Sequence, residues 1–136
     1  LQQIAGDDPR AKLYAVFDAL ETWLSQPDWR GCIFLTAAAE FPTPQEPAHQ
    51  KAAEHQRLFR EKLQYLATLA GAHDPAALAH QLTVLIEGII AYRHVSADPR
   101  AVEIGREIGN MLLEQHLPSP AVTALKPPTL APGAVA

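Results

Sequence analysis

Apolar residues recur every three or four positions along most of the chain, which is the spacing of one face of an α-helix. The pattern predicts five helices, over residues 9–25, 31–41, 47–70, 75–95 and 99–116. Asp8, Asp74 and Asp98 each precede a proline, a pair that favours a helix start because aspartate caps free N–H groups and proline suits the first turn. No stretch alternates apolar and polar residues convincingly, so we expect an all-α fold without a sheet.

The last two predicted helices carry features of close helix packing. Helix 75–95 has a broad face of bulky aliphatic residues and an opposite face of small ones, which indicates two packing partners. In helix 99–116, Gly105 and Gly109 lie beside the apolar stripe, although each glycine costs ~1 kcal/mol of helix propensity relative to alanine. Such a cost is understandable if another helix must approach closely at these positions.

We therefore predict a homodimer in which these two helices of each copy form a four-helix bundle. An isologous interface of this kind is the usual arrangement in homodimers. Glu87 also belongs to a polar strip with His80 and His94, expected at the edge of the interface. The predicted interface residues are Val84, Glu87, Gly88, Ala91, Val95, Gly105, Ile108, Gly109 and Leu112.

The short predicted helix 31–41 lies between helix breakers and is almost uncharged. Glycine precedes it, and Pro42 and Pro44 end it because proline disfavours helical geometry in the residue before it. It has apolar residues on both sides, so we expect both sides to be buried. Two interpretations remain open: a buried connecting helix, or the inner wall of a cavity.

Composition narrows the function classes. The chain has 136 residues and a formal net charge of −4, which argues against these residues holding nucleic acid unaided. The densest basic cluster, Arg57, Arg60 and Lys62, is interrupted by Glu61 and is typical of a solvated helix face. No apolar run approaches the ~18 residues of a membrane span, and no signal peptide is visible. The single Cys32 fits a reducing, cytoplasmic setting.

Motifs that carry catalytic or metal chemistry are absent or weak. The sequence has no phosphate-binding glycine loop, no paired CxxC and no HExxH. Glu46 and His49 form one E-x-x-H pair, whereas a di-iron bundle uses two such pairs and further glutamates. His80, Glu87 and His94 are spaced by ~10 Å along a helix, too far apart to chelate one ion. We predict no catalytic residue, no metal and no cofactor.

The segment Gly31-Cys32-x-Phe34-x-x-Ala37-x-x-Glu40-Phe41 resembles the C-terminal regulatory domain of TetR-family transcriptional repressors, in a Gly-Cys-x-Phe subset. The resemblance covers nearly all of residues 9–116. It implies a homodimeric repressor in which a small molecule enters this domain and shifts attached helix-turn-helix domains. The first residue, Leu1, is not Met, and residues 1–8 would be the end of a linker helix from a missing N-terminal DNA-binding domain. Operator DNA would be bound only through that missing domain. Residues 117–136 form a Pro/Ala-rich tail.

We accordingly predict a site for a small, largely apolar ligand between helices 9–25, 31–41, 47–70 and 75–95. Among the polar candidates His55 ranks first, since imidazole is available in either protonation state near neutral pH. The predicted site residues are Phe17, Leu20, Phe34, Thr36, Ala38, His55, Phe59, Leu63, Tyr65, Leu82, Leu85, Ile89 and Tyr92.

Two other functions stay open at the level of sequence. A stand-alone helical enzyme or metal protein would need converging acids, bases or ligands on inward faces, and the sequence offers only the weak sets above. A purely structural dimerisation module predicts a solid core without a cavity.

Overall fold

The computed structural model describes residues 6–119. In that range the chain forms five α-helices and no strand, which confirms the predicted all-α fold. Two predicted segments lie largely outside the described residues. They are residues 1–5 of the predicted linker helix and the part of the predicted tail beyond residue 119. The helices are α1 (Pro9–Leu24), α2 (Ile33–Glu40), α3 (Pro47–Leu69), α4 (Pro75–Ser96) and α5 (Ala101–His116).

Two of the three Asp-Pro pairs begin helices as predicted. The Asp8 carboxylate accepts a hydrogen bond from the Arg10 backbone N–H at 3.2 Å, and α1 begins at the following proline. The Asp74 carboxylate accepts from the Ala77 backbone N–H at 3.1 Å and begins α4 in the same way. Asp98 instead accepts from the Arg100 N–H at 2.8 Å within a turn, so α5 begins two residues later than predicted.

Helix α4 lies at the centre of the bundle, between α3 and α5. Helix α1 packs against α3 and α5, and α2 packs against α3. Burial of each large apolar side chain contributes roughly 1.5–3 kcal/mol, so the shared core of these helices stabilises the bundle. The largest fully buried side chains are Leu13, Phe17, Leu63, Leu78, Leu82 and Leu113.

The two glycines of α5 have their close neighbours inside the protomer. Gly109 faces the ring of Phe17, and Gly105 faces the side chain of Ile89. A Cβ atom at either position would overlap these side chains, so the glycines let α1 and α4 approach α5. The expectation that they mediate close approach between two copies is corrected accordingly: both are buried in the core of one chain.

Within the described residues, one helix, α4, is long and apolar enough to span a membrane by length and composition alone. Core helices of soluble proteins pass the same test. In this structure seven residues of α4 are buried against its neighbours: Leu78, Ala79, Leu82, Thr83, Ile86, Ile89 and Ile90.

The residues that follow α5 pack against the start of α1 and the α3–α4 turn. Leu117 is buried, and the Pro118 carbonyl accepts a hydrogen bond from the Arg10 guanidinium at 2.9 Å. The His73 backbone N–H donates to the His116 carbonyl at 2.9 Å. These contacts hold the end of α5 against the start of α1 and the α3–α4 turn.

Candidate functional site

A cavity of about 510 Å³ lies between α1, α2, α3 and α4, the four elements that the sequence predicted around a ligand site. Its wall is largely apolar, and alanines on three of the helices leave space that bulkier side chains would fill. The lining residues are Val16, Ala19, Leu20, Trp23, Cys32, Phe34, Leu35, Ala38, His49, Ala52, Ala53, His55, Gln56, Phe59, Ile86, Glu87 and Ile90.

Helix α2 forms one side of this cavity and is not buried on both faces, contrary to the expectation from its composition. None of its eight residues is fully buried, and Ile33 is 76% exposed. Phe34, Leu35 and Ala38 face the cavity. The inner side of α2 therefore borders an open space, while its outer side faces solvent.

Two histidines of α3 contact α2 and the residue directly after it. The ring of His55 stacks on the ring of Phe34, with centroids 3.9 Å apart and planes 7° from parallel. His49 Nδ1 lies 2.8 Å from the Phe41 carbonyl oxygen. A carbonyl can only accept, so Nδ1 carries the proton and donates this hydrogen bond. Both imidazoles border the cavity but have partners in its wall.

The polar contact at the far side of the cavity joins α3 to α4. Gln56 Nε2 donates a hydrogen bond to Glu87 Oε1 at 2.8 Å, and both residues are partly buried. Glu87 is the one acidic residue among those that line the cavity. In the part of the chain that the structure describes, no ion pair includes this carboxylate.

Five of the predicted site residues line the cavity: Leu20, Phe34, Ala38, His55 and Phe59. Phe17, Leu63 and Leu82 are instead fully buried in the core. Ile89 packs against Gly105, and Leu85 is partly buried beside the core cluster. Thr36, Tyr65 and Tyr92 are exposed.

The predicted residues on α4 miss the cavity because of helical phase. Leu82, Leu85 and Ile89 were expected to form the wall, whereas Ile86 and Ile90 form it. A shift of one position rotates a residue by about 100° around the helix, enough to exchange core and cavity faces.

The polar lining residues His49, Gln56 and Glu87 were also missed as site residues. Glu87 could have been recognised from the sequence, because it is a carboxylate in an otherwise apolar stretch of α4.

The predicted dimer interface divides into three groups. Val84 and Val95 are 72% and 86% exposed, and Gly88, Ala91 and Ile108 are exposed with them. Leu112 is partly buried beside the core. Gly105 and Gly109 are internal, and Glu87 lines the cavity, so these three belong to the protomer's own packing. The exposed apolar face on α4 and α5 also includes Tyr92, Ile104 and Met111.

In the basic cluster on α3, Arg57 forms ion pairs on the surface of the helix. Arg57 bonds to Glu54 and Glu61, with nitrogen–oxygen distances of 2.5 and 2.6 Å. The hydrogen bond from Arg57 lowers the pKa of the Glu54 carboxyl. Among the described residues, no group of three or more His, Cys, Asp or Glu side chains could hold a metal ion.

The fold and the site define an all-α domain built around a cavity that opens between four of its helices. Residues 9–108 match the family model described as tetracyclin repressor-like, C-terminal domain, and the chain belongs to this family. This is a family of transcriptional regulators and not of enzymes.

Similar proteins and structures agree with this assignment. The chain is 26% identical over 102 residues to the HTH-type transcriptional regulator YjdC of Escherichia coli K12 and of Shigella flexneri, covering 75% of this chain and 53% of theirs. The crystal structure of SCO4454, a TetR-family regulator from Streptomyces coelicolor, superposes with a TM-score of 0.75 and 26% identity over 81% of this chain and 58% of that one.

The TetR-type regulator sav143 from Streptomyces avermitilis gives a TM-score of 0.73 with 28% identity, covering 82% of this chain and 60% of the other. The chain thus spans about half the length of the curated relatives it matches.

Proposed function

We propose that this chain is the ligand-sensing and dimerisation domain of a cytoplasmic TetR-family repressor. The observation that carries the proposal is the cavity of about 510 Å³ between α1, α2, α3 and α4. Ligand sites in proteins are mostly apolar clefts of ~300–1,000 Å³ with a few placed polar groups. A purely structural module would have filled this space, because large-to-small substitutions in a core are destabilising.

We further assign the chain to the Gly-Cys-x-Phe subset that its sequence resembles. The backbone supports a structural role for the motif: Gly31 has a φ of 94°, which favours glycine, and Cys32 is the N-cap of α2. In this proposal the motif determines where α2 begins.

The proposed signal runs from the cavity through α2 and α1. A ligand that presses on Phe34 would move α2 against its histidine partners on α3. Val16, Leu20 and Trp23 of α1 line the same cavity, so a ligand also contacts the helix nearest the chain's N-terminal residues. Such a ligand changes the conformation only if it binds one arrangement more tightly than the other.

In the whole protein, residues 1–8 would connect α1 to an N-terminal helix-turn-helix domain that contacts operator DNA. The names of the curated relatives describe HTH-type regulators, and this chain corresponds to about half of their length. The net charge of −4 is consistent with DNA contacts made elsewhere.

The exposed apolar face on α4 and α5 is the proposed dimer interface. Monomeric proteins rarely expose a large contiguous apolar patch, and this one follows two adjacent helices. Two copies related by a two-fold axis would cover it with a four-helix bundle. Its members are Val84, Gly88, Ala91, Tyr92, Val95, Ile104, Ile108 and Met111.

Ligand binding is tested with a screen of apolar compounds on the chain and on Ala38→Trp. Ala38 faces the cavity and a tryptophan there fills it, whereas Ala39→Trp on the exposed side of the same helix is the matched control. We expect compounds that raise the melting temperature of the wild type and of Ala39→Trp, but not of Ala38→Trp, and that change the tryptophan emission of the wild type. Equal responses of all three proteins, or no response to any compound, would exclude this cavity as the site.

Dimerisation is tested by sedimentation of Gly88→Arg and Ala91→Glu. Both positions are exposed on α4, so these side chains leave the protomer intact and introduce charge into the interface. Gln64→Arg on the exposed surface of α3 is the control. Wild type and control are expected to sediment as dimers and the two α4 variants as monomers. Unchanged sedimentation of both would refute the interface.

A further inference from the structure

We propose that Glu87 makes the cavity selective for an organic cation with an apolar body. This inference rests on the proposed ligand-sensing function, and it names the chemical class of the ligand. Its basis is a partly buried carboxylate that faces an apolar cavity and has a neutral amide as its hydrogen-bond donor.

The position of Glu87 has a cost that packing alone does not explain. It lies between Ile86 and Ile90 on α4, and both isoleucines are buried and line the same cavity. A carboxylate that is partly removed from water without a positive partner is less favourable than one in solvent, and an aliphatic side chain here would continue the apolar wall. Glu87 is the only acidic residue of α4. A ligand cation would supply the missing positive charge.

Gln56 orients this carboxylate without neutralising it. Its amide nitrogen donates to Oε1 at 2.8 Å, and an ionised carboxylate has about four acceptor positions on its two oxygens. Capacity therefore remains for a donor or a positive charge in the cavity. Gln56 is thus a positioning residue for the proposed contact.

The two histidines of the cavity are engaged elsewhere. His49 Nδ1 donates to the Phe41 carbonyl, and the ring of His55 stacks on Phe34. Neither contact is with Glu87, so the two basic residues that line the cavity contact α2 and its C-cap residue instead.

The aromatic residues of the wall favour the same class of ligand. Trp23, Phe34 and Phe59 line the cavity together with Glu87. The face of an aromatic ring carries negative electrostatic potential and attracts cations, tryptophan most strongly, while the same rings bury apolar surface. A compound with a quaternary or protonated amine and a hydrocarbon or aromatic body satisfies both kinds of contact. An anion of the same size would be repelled by Glu87.

A matched series of probes separates charge from hydrocarbon content. Decyltrimethylammonium, decylammonium, decanol and decanoate share the same chain, and the quaternary ion carries charge without an N–H donor. Binding is followed by tryptophan emission and calorimetry below the aggregation threshold of each probe. We expect both cations to bind at least about tenfold more tightly than decanol, a difference of ~1.4 kcal/mol. Decanoate should bind most weakly.

Glu87→Gln removes the charge and keeps the shape of the side chain. The cations should lose about tenfold in affinity on this variant, while decanol binding stays within twofold, because a tenfold change corresponds to ~1.4 kcal/mol. Glu114→Gln makes the same change of net charge at an exposed position of α5 and is the control. Gln56→Met should weaken the cation preference partially, since the carboxylate is kept but no longer oriented.

The outcomes distinguish this inference from the function on which it rests. Equal binding of cations and decanol to the wild type, or tightest binding of decanoate, refutes cation selectivity while the ligand site stands. If Glu87→Gln and Glu114→Gln lose equal cation affinity, the loss results from the change in net charge, and a specific role of Glu87 is refuted. If none of the four probes binds, the inference fails, and the apolar screen on Ala38→Trp decides the ligand site separately. The comparison of the four probes on the wild-type protein does not depend on whether any variant folds.

Discussion

Gly109→Ala is expected to destabilise the protein although it improves helix propensity. Gly109 lies in α5, where an added Cβ atom would overlap the ring of Phe17. That ring is 0% exposed and is held on all sides by the core of α1 and its neighbours. Since the ring cannot move into solvent, the core or the α1–α5 separation must shift.

The magnitude follows from two opposing contributions. Replacing glycine by alanine inside a helix gains ~1 kcal/mol, and overpacking a well-packed core costs ~1–3 kcal/mol. Overlap with an enclosed aromatic ring belongs to the upper part of that range, so the net loss should be about 1–2 kcal/mol. Gly88→Ala is the control within one protomer: nothing in the same chain lies within 4 Å of its added Cβ, so the stability of the monomer, measured in dilute protein, should rise by up to ~1 kcal/mol.

The assay is urea denaturation followed by circular dichroism at several protein concentrations. With a typical denaturant slope, the midpoint of Gly109→Ala should fall by about 0.5–1 M relative to the wild type. The loss should be the same at every concentration, because Phe17 and Gly109 belong to one chain. A loss confined to dilute protein would instead locate the defect at the dimer interface.

Shortening the opposing side chain supplies a second check. Phe17→Leu alone should destabilise by leaving space in the core. Combined with Gly109→Ala, the loss should be smaller than the sum of the two single losses, since residues in contact are not additive. Strict additivity, or a Gly109→Ala protein as stable as Gly88→Ala, would refute the role of the glycine in the α1–α5 contact.

Three further variants and conditions test local features. Gly31→Ala should lower the melting temperature, with a loss of about 1 kcal/mol or more by thermal denaturation, because φ is 94°. Asp74→Ala should cost ~1 kcal/mol in the same assay through loss of the cap on the Ala77 N–H. The Arg100 hydrogen bond lowers the pKa of Asp98, so its contribution to stability is present above the ordinary aspartate pKa and is lost as the pH falls through the lowered one. Asp98→Asn should abolish that part of an acid titration.

The bundle could be predicted from the sequence because its signals are local. Proline after aspartate determined the starts of α1 and α4, and the period of apolar residues determined the helices between them. The start of α5 was misplaced because Asp98 hydrogen bonds within a turn where Ala97 has a φ of 55°. A short motif cannot tell a helix cap from a turn that precedes a helix.

The sequence predicted which helices surround the cavity, but not which face of each helix lines it. Helix α4 is apolar all round, so its sequence does not distinguish the core side, with Leu82 and Ile89, from the cavity side, with Ile86 and Ile90. The same ambiguity affected α2, since an apolar helix that borders a cavity has the composition of a buried one. Gly109 indicated a close approach correctly, but the sequence does not reveal which helix approaches.

The attachment of α2 has a kinetic consequence for exchange between the cavity and solvent. Its contacts are mainly with α3, it has no fully buried residue, and Leu35 is its one side chain that packs against the core cluster. Segments with so little burial open in sub-global fluctuations, at a free energy well below that of global unfolding. Amide hydrogens of α2 should therefore exchange with deuterium much faster than those of α4. If a bulky compound enters only when α2 detaches, the opening rate of α2 is also the upper limit of the observed association rate. Exchange measures that opening rate under conditions, such as high pH, where each opening leads to exchange.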